Sequence, residues 1–134
     1  MIVSLHVATG ALVGAAAGSR LGAVVAGALA HAAGDVMPHR DFPSRRFEIA
    51  TGTVGILALA AARGPLHPIT VGAVAASLPD VEHVLPLPRP GGRKLFPSHR
   101  FEGWHREGGV SAPVQLAAAT LILAVLVLTA PRER

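Results

Sequence analysis

Two long stretches of this chain are almost free of charge, and they restrict its possible folds more than any other feature. Residues 7–34 hold one charged side chain, Arg20, and residues 49–79 hold one, Arg63. Segments that are apolar all round belong either inside a large protein or inside a bilayer. With 134 residues, 51% of them apolar and 15% charged, against about 25% charged in ordinary globular domains, the chain is too short to bury so much apolar surface by itself. The expectation is an all-α membrane protein of one transmembrane domain, residues 1–134. The apolar runs are 2–18, 21–36, 47–62, 68–78 and 110–130. Most are about 16 residues and roughly 24 Å long as helices, slightly short for a hydrocarbon core of about 30 Å. Cysteine is absent, so any metal site must be built from His and carboxylates.

The chain also repeats itself. Val7-Ala8-Thr9-Gly10 recurs as Ile49-Ala50-Thr51-Gly52, and Asp35-Val36 as Asp80-Val81. Phe42-Pro43-Ser44-Arg45-Arg46-Phe47-Glu48 recurs as Phe96-Pro97-Ser98-His99-Arg100-Phe101-Glu102, differing at a single position. Residues 5–48 and 49–102 therefore read as tandem helix pairs, followed by a C-terminal helix over 110–130: a bundle of four or five transmembrane helices. Two helices per copy return the chain to its starting side, which makes the copies parallel repeats about a pseudo-twofold axis. Gly10, Gly14 and Gly18, and Gly72 with Ala76, are spaced for close helix contact.

This topology collects His6, His31, His39, His83, His99 and His105 at one face. The same face carries Arg40, Arg45, Arg46, Arg89, Arg93, Lys94, Arg100 and Arg106, against Arg20, Arg63, Arg132 and Arg134 at the other. The positive-inside rule then places the His-rich face and the N-terminus in the cytoplasm of a multi-pass inner-membrane protein, with the C-terminus opposite. His31, Asp35 and His39 share a helix face by their four-residue spacing. Asp80 and His83 can point together, and Asp35 and Asp80 are equivalents under the duplication. Imidazoles and carboxylates in one place suit Zn, Mn or Fe. The expected ligands are His31, Asp35, Asp80, His83, His99, His6 and His39. Glu82 or His105 is the expected acid/base group, and Arg100 the expected anion clamp, with Arg93 and Lys94 near it able to share that role. Structural readings stand beside these: His31 as an interhelical hydrogen-bonding residue, the aspartates as caps, and the basic loop as a contact for anionic headgroups.

At Pro79-Asp80-Val81-Glu82-His83 the chain resembles the membrane-bound metal-dependent hydrolases, bacterial inner-membrane proteins some of which are described as LexA-binding. His6 matches that family's early His. Pro79, Asp80 and His83 match its Pro-Asp-x-Asp-His element, with Glu82 in place of Asp. His99-Arg100 and His105 match its later His-Arg segment, although Trp104 and Arg106 flank His105 where the family has Thr and Ser. The resemblance implies hydrolysis of a phosphate-containing or lipid-like substrate by a divalent metal at the membrane face. The expected partners are membrane lipid and an anionic substrate, without direct nucleic-acid binding. The alternatives are a non-enzymatic metal-binding or transport protein, and a membrane scaffold for a soluble partner. Pro97-Ser98-His99 also resembles the Pro-Ser-Gly-His motif of lipid phosphatases, but lacks its Gly.

Overall fold

A computed structural model describes residues 1–131. Six α-helices lie among these described residues, in order: α1 Val3–Ala16, α2 Arg20–Val36, α3 Arg45–Arg63, α4 Pro68–Ser77, the single turn α5 Pro97–Arg100, and α6 Ala112–Leu128. No strand occurs among the described residues. The boundaries follow local chemistry. Gly18, at φ +66°, turns the chain out of α1, and the Ser19 hydroxyl accepts the Gly22 N–H to cap α2. Ser44 does the same for α3, which has Arg63 in its last turn, where the helix dipole favours a cation, and Gly64 beyond it. His67 Nδ1 caps α4, and Pro68 opens it. Pro79 has no N–H to continue the α-helical ladder, and the chain passes into a 3-10 helix, Leu78–His83.

The apolar core is Val7, Ala11, Leu59, Ile69 and Ala73, with Ile56, Leu123, Leu126 and Val127 packed on it. The glycine spacing works at α1 and α4, which touch backbone to backbone. A Cβ on Gly10 would lie 2.4 Å from the Gly72 carbonyl oxygen, and one on Gly14 would lie 2.4 Å from that of Pro68. Under the duplication α1 corresponds to α3 and α4 to α2. Yet α1 packs along α4, while α2 and α3 make no comparable contact. The helix pairs recur in sequence without the packing symmetry expected of them.

The membrane assignment is overturned. No helix among the described residues is long and apolar enough to cross a bilayer. Helices α1, α2, α4 and α6 have 14, 17, 10 and 17 residues, so even the longest of these reaches only about 26 Å. α3 is longer, at 19 residues, but carries Arg45, Arg46, Glu48 and Arg63. The fourth apolar run breaks at Pro79. The bundle of transmembrane helices is thus a bundle of short helices, and the multi-pass inner-membrane placement, with its cytoplasmic His-rich face and opposite C-terminus, falls with it. Arg132 and Arg134, used in that placement, lie outside the described residues. Hydropathy had also concealed where the polar groups go: Ser4, His6, His31, Asp35, Thr70 and Gln115 are buried, while Leu21, Leu29, Leu57, Leu121 and Leu128 are exposed.

Candidate metal centre

Asp35 organises the site from the last turn of α2, where it is 1% exposed. Its Oδ2 lies 3.0 Å from His31 Nε2, one turn earlier on the same helix, and 3.4 Å from His99 Nε2 on α5. Asp80 Oδ1, from the 3-10 helix, lies 3.7 Å from the same His99 nitrogen. The two imidazole Nε2 atoms are 3.2 Å apart. Asp35 and Asp80, the equivalents under the duplication, thus flank one histidine.

The second nitrogens of the rings fix their tautomers. His31 Nδ1 is 2.8 Å from the Ala76 carbonyl oxygen and His99 Nδ1 is 2.6 Å from Glu82 Oε1. Both are acceptors only, so both Nδ1 atoms carry hydrogen and the neutral rings point Nε2 lone pairs at each other. Two lone pairs at that distance need positive charge between them: a shared proton or a metal ion. Tetrahedral donors with bonds of about 2.0–2.1 Å are separated by about 3.3 Å, close to the spacings seen. Asp35 Oδ2 and Asp80 Oδ2 are also buried without hydrogen-bond partners, and buried carboxylate oxygens left this way call for a cation. The residues present fit a divalent ion: His31, Asp80 and His99 have donor atoms mutually within 4.8 Å, as do His6, His31 and Asp35.

The surrounding groups hold this arrangement. His6, fully buried on α1, stacks on His31 with ring centroids 4.1 Å apart and lies 3.2 Å from Asp35 Oδ1 through Nε2. Burial pushes its pKa down to about 3. Burial also opposes the charge of Asp35, but the imidazoles of His31, His6 and His99 around it outweigh that and hold its carboxyl far below the usual range. Burial raises Asp80 to about 6. Burial would lower His99, yet the carboxylates of Asp35 and Glu82 beside it prevail and raise it.

The other expected residues take different places. Glu82 is buried behind His99, where it also accepts the Leu95 N–H at 2.6 Å and the Phe96 N–H at 3.4 Å. It orients the ring and does not face the cavity. A 3-10 helix repeats every three residues, so Glu82 turns away from the side shared by Asp80 and His83. His83 stacks edgewise on His99 at 4.2 Å. Its Nδ1 is occupied by Lys94 Nζ at 3.0 Å, and burial, with His99 and Lys94 beside it, lowers its pKa to about 4. Arg100 is exposed, with its guanidinium 6.0 Å from the Phe101 ring centre, because a one-turn helix that points His99 inward points its neighbour out. His39 and His105 stand on the far side of Asp35, beside Asp41.

A cavity of about 870 Å³ opens onto the centre. Asp35, Asp80 and His99 line its polar end, Arg45 and Lys94 supply cations, and Ile49, Ile56, Val81 and Leu85 form an apolar wall. Sequence reasoning passed over Asp41 and used Arg45 only to count charge, whereas Lys94 was already among the cations expected to clamp an anion. The single signal for Arg45 was its position in the duplicated block, where it corresponds to His99. Comparison of the chain with protein-family models, curated proteins and solved structures finds no match to any of them.

Proposed function

We propose that this chain is a metal-dependent hydrolase of a phosphate-containing or lipid-like ester. The observation that carries the reading is the pair of facing Nε2 atoms of His31 and His99, 3.2 Å apart, between the carboxylates of Asp35 and Asp80. His31, His99, Asp35 and Asp80 would hold the ion, and imidazole with carboxylate suits Zn, Mn or Fe. A bound ion of this kind supplies Lewis acidity for hydrolysis at neutral pH.

The chain's own groups do the rest. Arg45 and Lys94 line the cavity and take the role expected of Arg100, attracting an anionic group toward the centre and stabilising charge that builds on it. The wall of Ile49, Ile56, Val81 and Leu85 receives an apolar portion of the substrate and keeps water from the reacting bond. Asp80 lines the same cavity, where its carboxylate can accept a hydrogen bond from the reacting water and orient it. Glu82 keeps His99 in its tautomer, and His6 steadies Asp35.

The test is hydrolysis of an aryl phosphate, an aryl phosphodiester and a long-chain aryl ester by the chelator-stripped protein reloaded with Zn²⁺, Mn²⁺ or Fe²⁺. Metal-dependent turnover of at least one, lost in His31→Ala and His99→Ala, supports the reading. A metal-loaded protein inert toward all three substrate types refutes it.

A further inference from the structure

Asp35 presents one oxygen, Oδ2, to His31 and His99. Its other oxygen, Oδ1, faces a second group of ligating side chains. His39, Asp41 and His105 have donor atoms mutually within 4.8 Å. His39 Nδ1 lies 2.6 Å from the Met37 carbonyl oxygen, so its hydrogen is committed there and the Nε2 lone pair faces outward, accepting from the Met1 ammonium and 3.4 Å from Asp41 Oδ1. The ring is 4% exposed. Across from it, His105 Nε2 lies 3.8 Å from Asp41 Oδ2 and its Nδ1 4.0 Å from Asp35 Oδ1, the two rings meeting edge to face at 4.5 Å. Asp35 Oδ1 also contacts His6 Nε2 at 3.2 Å and the Met1 nitrogen at 3.3 Å, and the Met1 nitrogen touches His39 Nε2.

The backbone holds these residues in place. His39 N–H donates to the Arg106 carbonyl at 3.2 Å, and Gly108 N–H donates to the His39 carbonyl at 3.1 Å. This bridge fixes the His39 and His105 segments side by side. Gly109 makes the bridge possible: it sits at φ +65°, and a Cβ there would lie 2.2 Å from the Pro38 carbonyl oxygen. The group borders a second cavity of about 600 Å³, lined by His39, Arg40, Asp41, His105, Glu107 and Gly108, and Asp41 and His105 line the first cavity as well. A ligand set that is half buried, backbone-pinned and open on one side is how a catalytic ion with free positions is held.

We infer that His39, Asp41 and His105 form a second divalent-cation site, joined to the first by the Asp35 carboxylate acting as a bridge. The inference rests on the hydrolase reading and deepens it. Paired ions sharing a carboxylate would clamp the attacking and leaving oxygens of a displacement at phosphorus, and with the cations Arg45 and Lys94 in the adjoining cavity the substrate class becomes a phosphate ester.

The test loads the chelator-stripped full chain with Mn²⁺ and measures bound metal after equilibrium dialysis, together with the electron paramagnetic resonance spectrum. Asp41 and His105 side chains are 45% and 42% exposed, so Asp41→Asn and His105→Ala leave the fold intact, which circular dichroism verifies. The expected result is about two equivalents of Mn²⁺ with an exchange-coupled spectrum, reduced in either variant to about one equivalent with an uncoupled spectrum. One equivalent in the wild type, unchanged in both variants and lost in His31→Ala, overturns the second site and leaves the first standing. No bound Mn²⁺, Zn²⁺ or Fe²⁺ in the wild type overturns both.

Discussion

Replacing Glu82 with Gln changes one carboxylate oxygen into an amide and tests the centre without touching a proposed ligand. Glu82 Oε1 accepts from His99 Nδ1 at 2.6 Å, while Oε2 accepts from the Leu95 N–H at 2.6 Å. A glutamine cannot do both. If its oxygen faces His99, its NH₂ opposes the Leu95 N–H, and the segment entering α5 is pushed off. If its NH₂ faces His99, Nδ1 must accept, the ring adopts the other tautomer, and the proton moves to the Nε2 atom that faces Asp35 and His31. Either way the ion loses a well-placed donor. Losing the hydrogen bond behind a ligating histidine costs about 10–100-fold in metal affinity, or about 1.4–2.7 kcal/mol. Competition against a fluorescent chelator, with Zn²⁺ or Mn²⁺, measures it. Glu48→Gln is the control, because Glu48 binds the Phe42 N–H at 2.6 Å and no histidine. In a His99→Ala background, Glu82→Gln should cost nothing further. Wild-type affinity in Glu82→Gln alone would refute the assignment of Glu82 as the group that sets the His99 tautomer.

Gly72→Ala places a Cβ 2.4 Å from the Gly10 carbonyl oxygen, and should cost about 3 kcal/mol or more, since backbone atoms cannot step aside as side chains do; urea unfolding reads the loss. Gln115 is buried and serves the Ile2 N–H with its oxygen and the Arg40 and Val110 carbonyls with its amide. Gln115→Leu leaves the Ile2 N–H and the Arg40 carbonyl unpaired, while the Val110 carbonyl keeps the Arg40 N–H, and a loss of about 1–3 kcal/mol or more is expected from the same measurement. Metal affinity should rise with pH and fall steeply below about 6. An ion must displace the proton from Asp80, raised to about 6, and from His99, also raised. Each is protonated below its own pKa and available above it, whereas Asp35, held far below the usual range, stays ionised throughout. Isothermal titration in buffers of different ionisation enthalpy should show proton release on binding.

The parts of this site that could be read from sequence are those fixed by helical spacing and by the duplication. His31 and Asp35 are four residues apart on one helix, and Asp35 and Asp80 occupy matching places in the repeat, although the helices that carry them meet without the symmetry that suggested their approach. Glu82 depended on a change of helix type at Pro79, which rotates every later side chain by an amount that local sequence does not specify. Asp41, Arg45 and Lys94 lie on or beside connections whose paths are set by distant contacts, such as Arg45 donating to the His83 carbonyl at 3.0 Å. The membrane reading failed because hydropathy averages over a helix. Runs rich in Ala and Gly score as apolar whichever way they face, and here their small residues let backbones meet while His6, His31 and Asp35 point inward.

Trp104 donates its Nε1–H to the Ala32 carbonyl at 2.9 Å, fastening the long connection that carries His99 and His105 to α2 one turn before Asp35. The chain contains no other tryptophan and no tyrosine. Its near-ultraviolet emission therefore comes from a single ring clasped at the edge of the centre. Each time an ion seats or leaves, the colour and brightness of that one fluorophore should register it, so the protein carries a built-in optical gauge of its own loading.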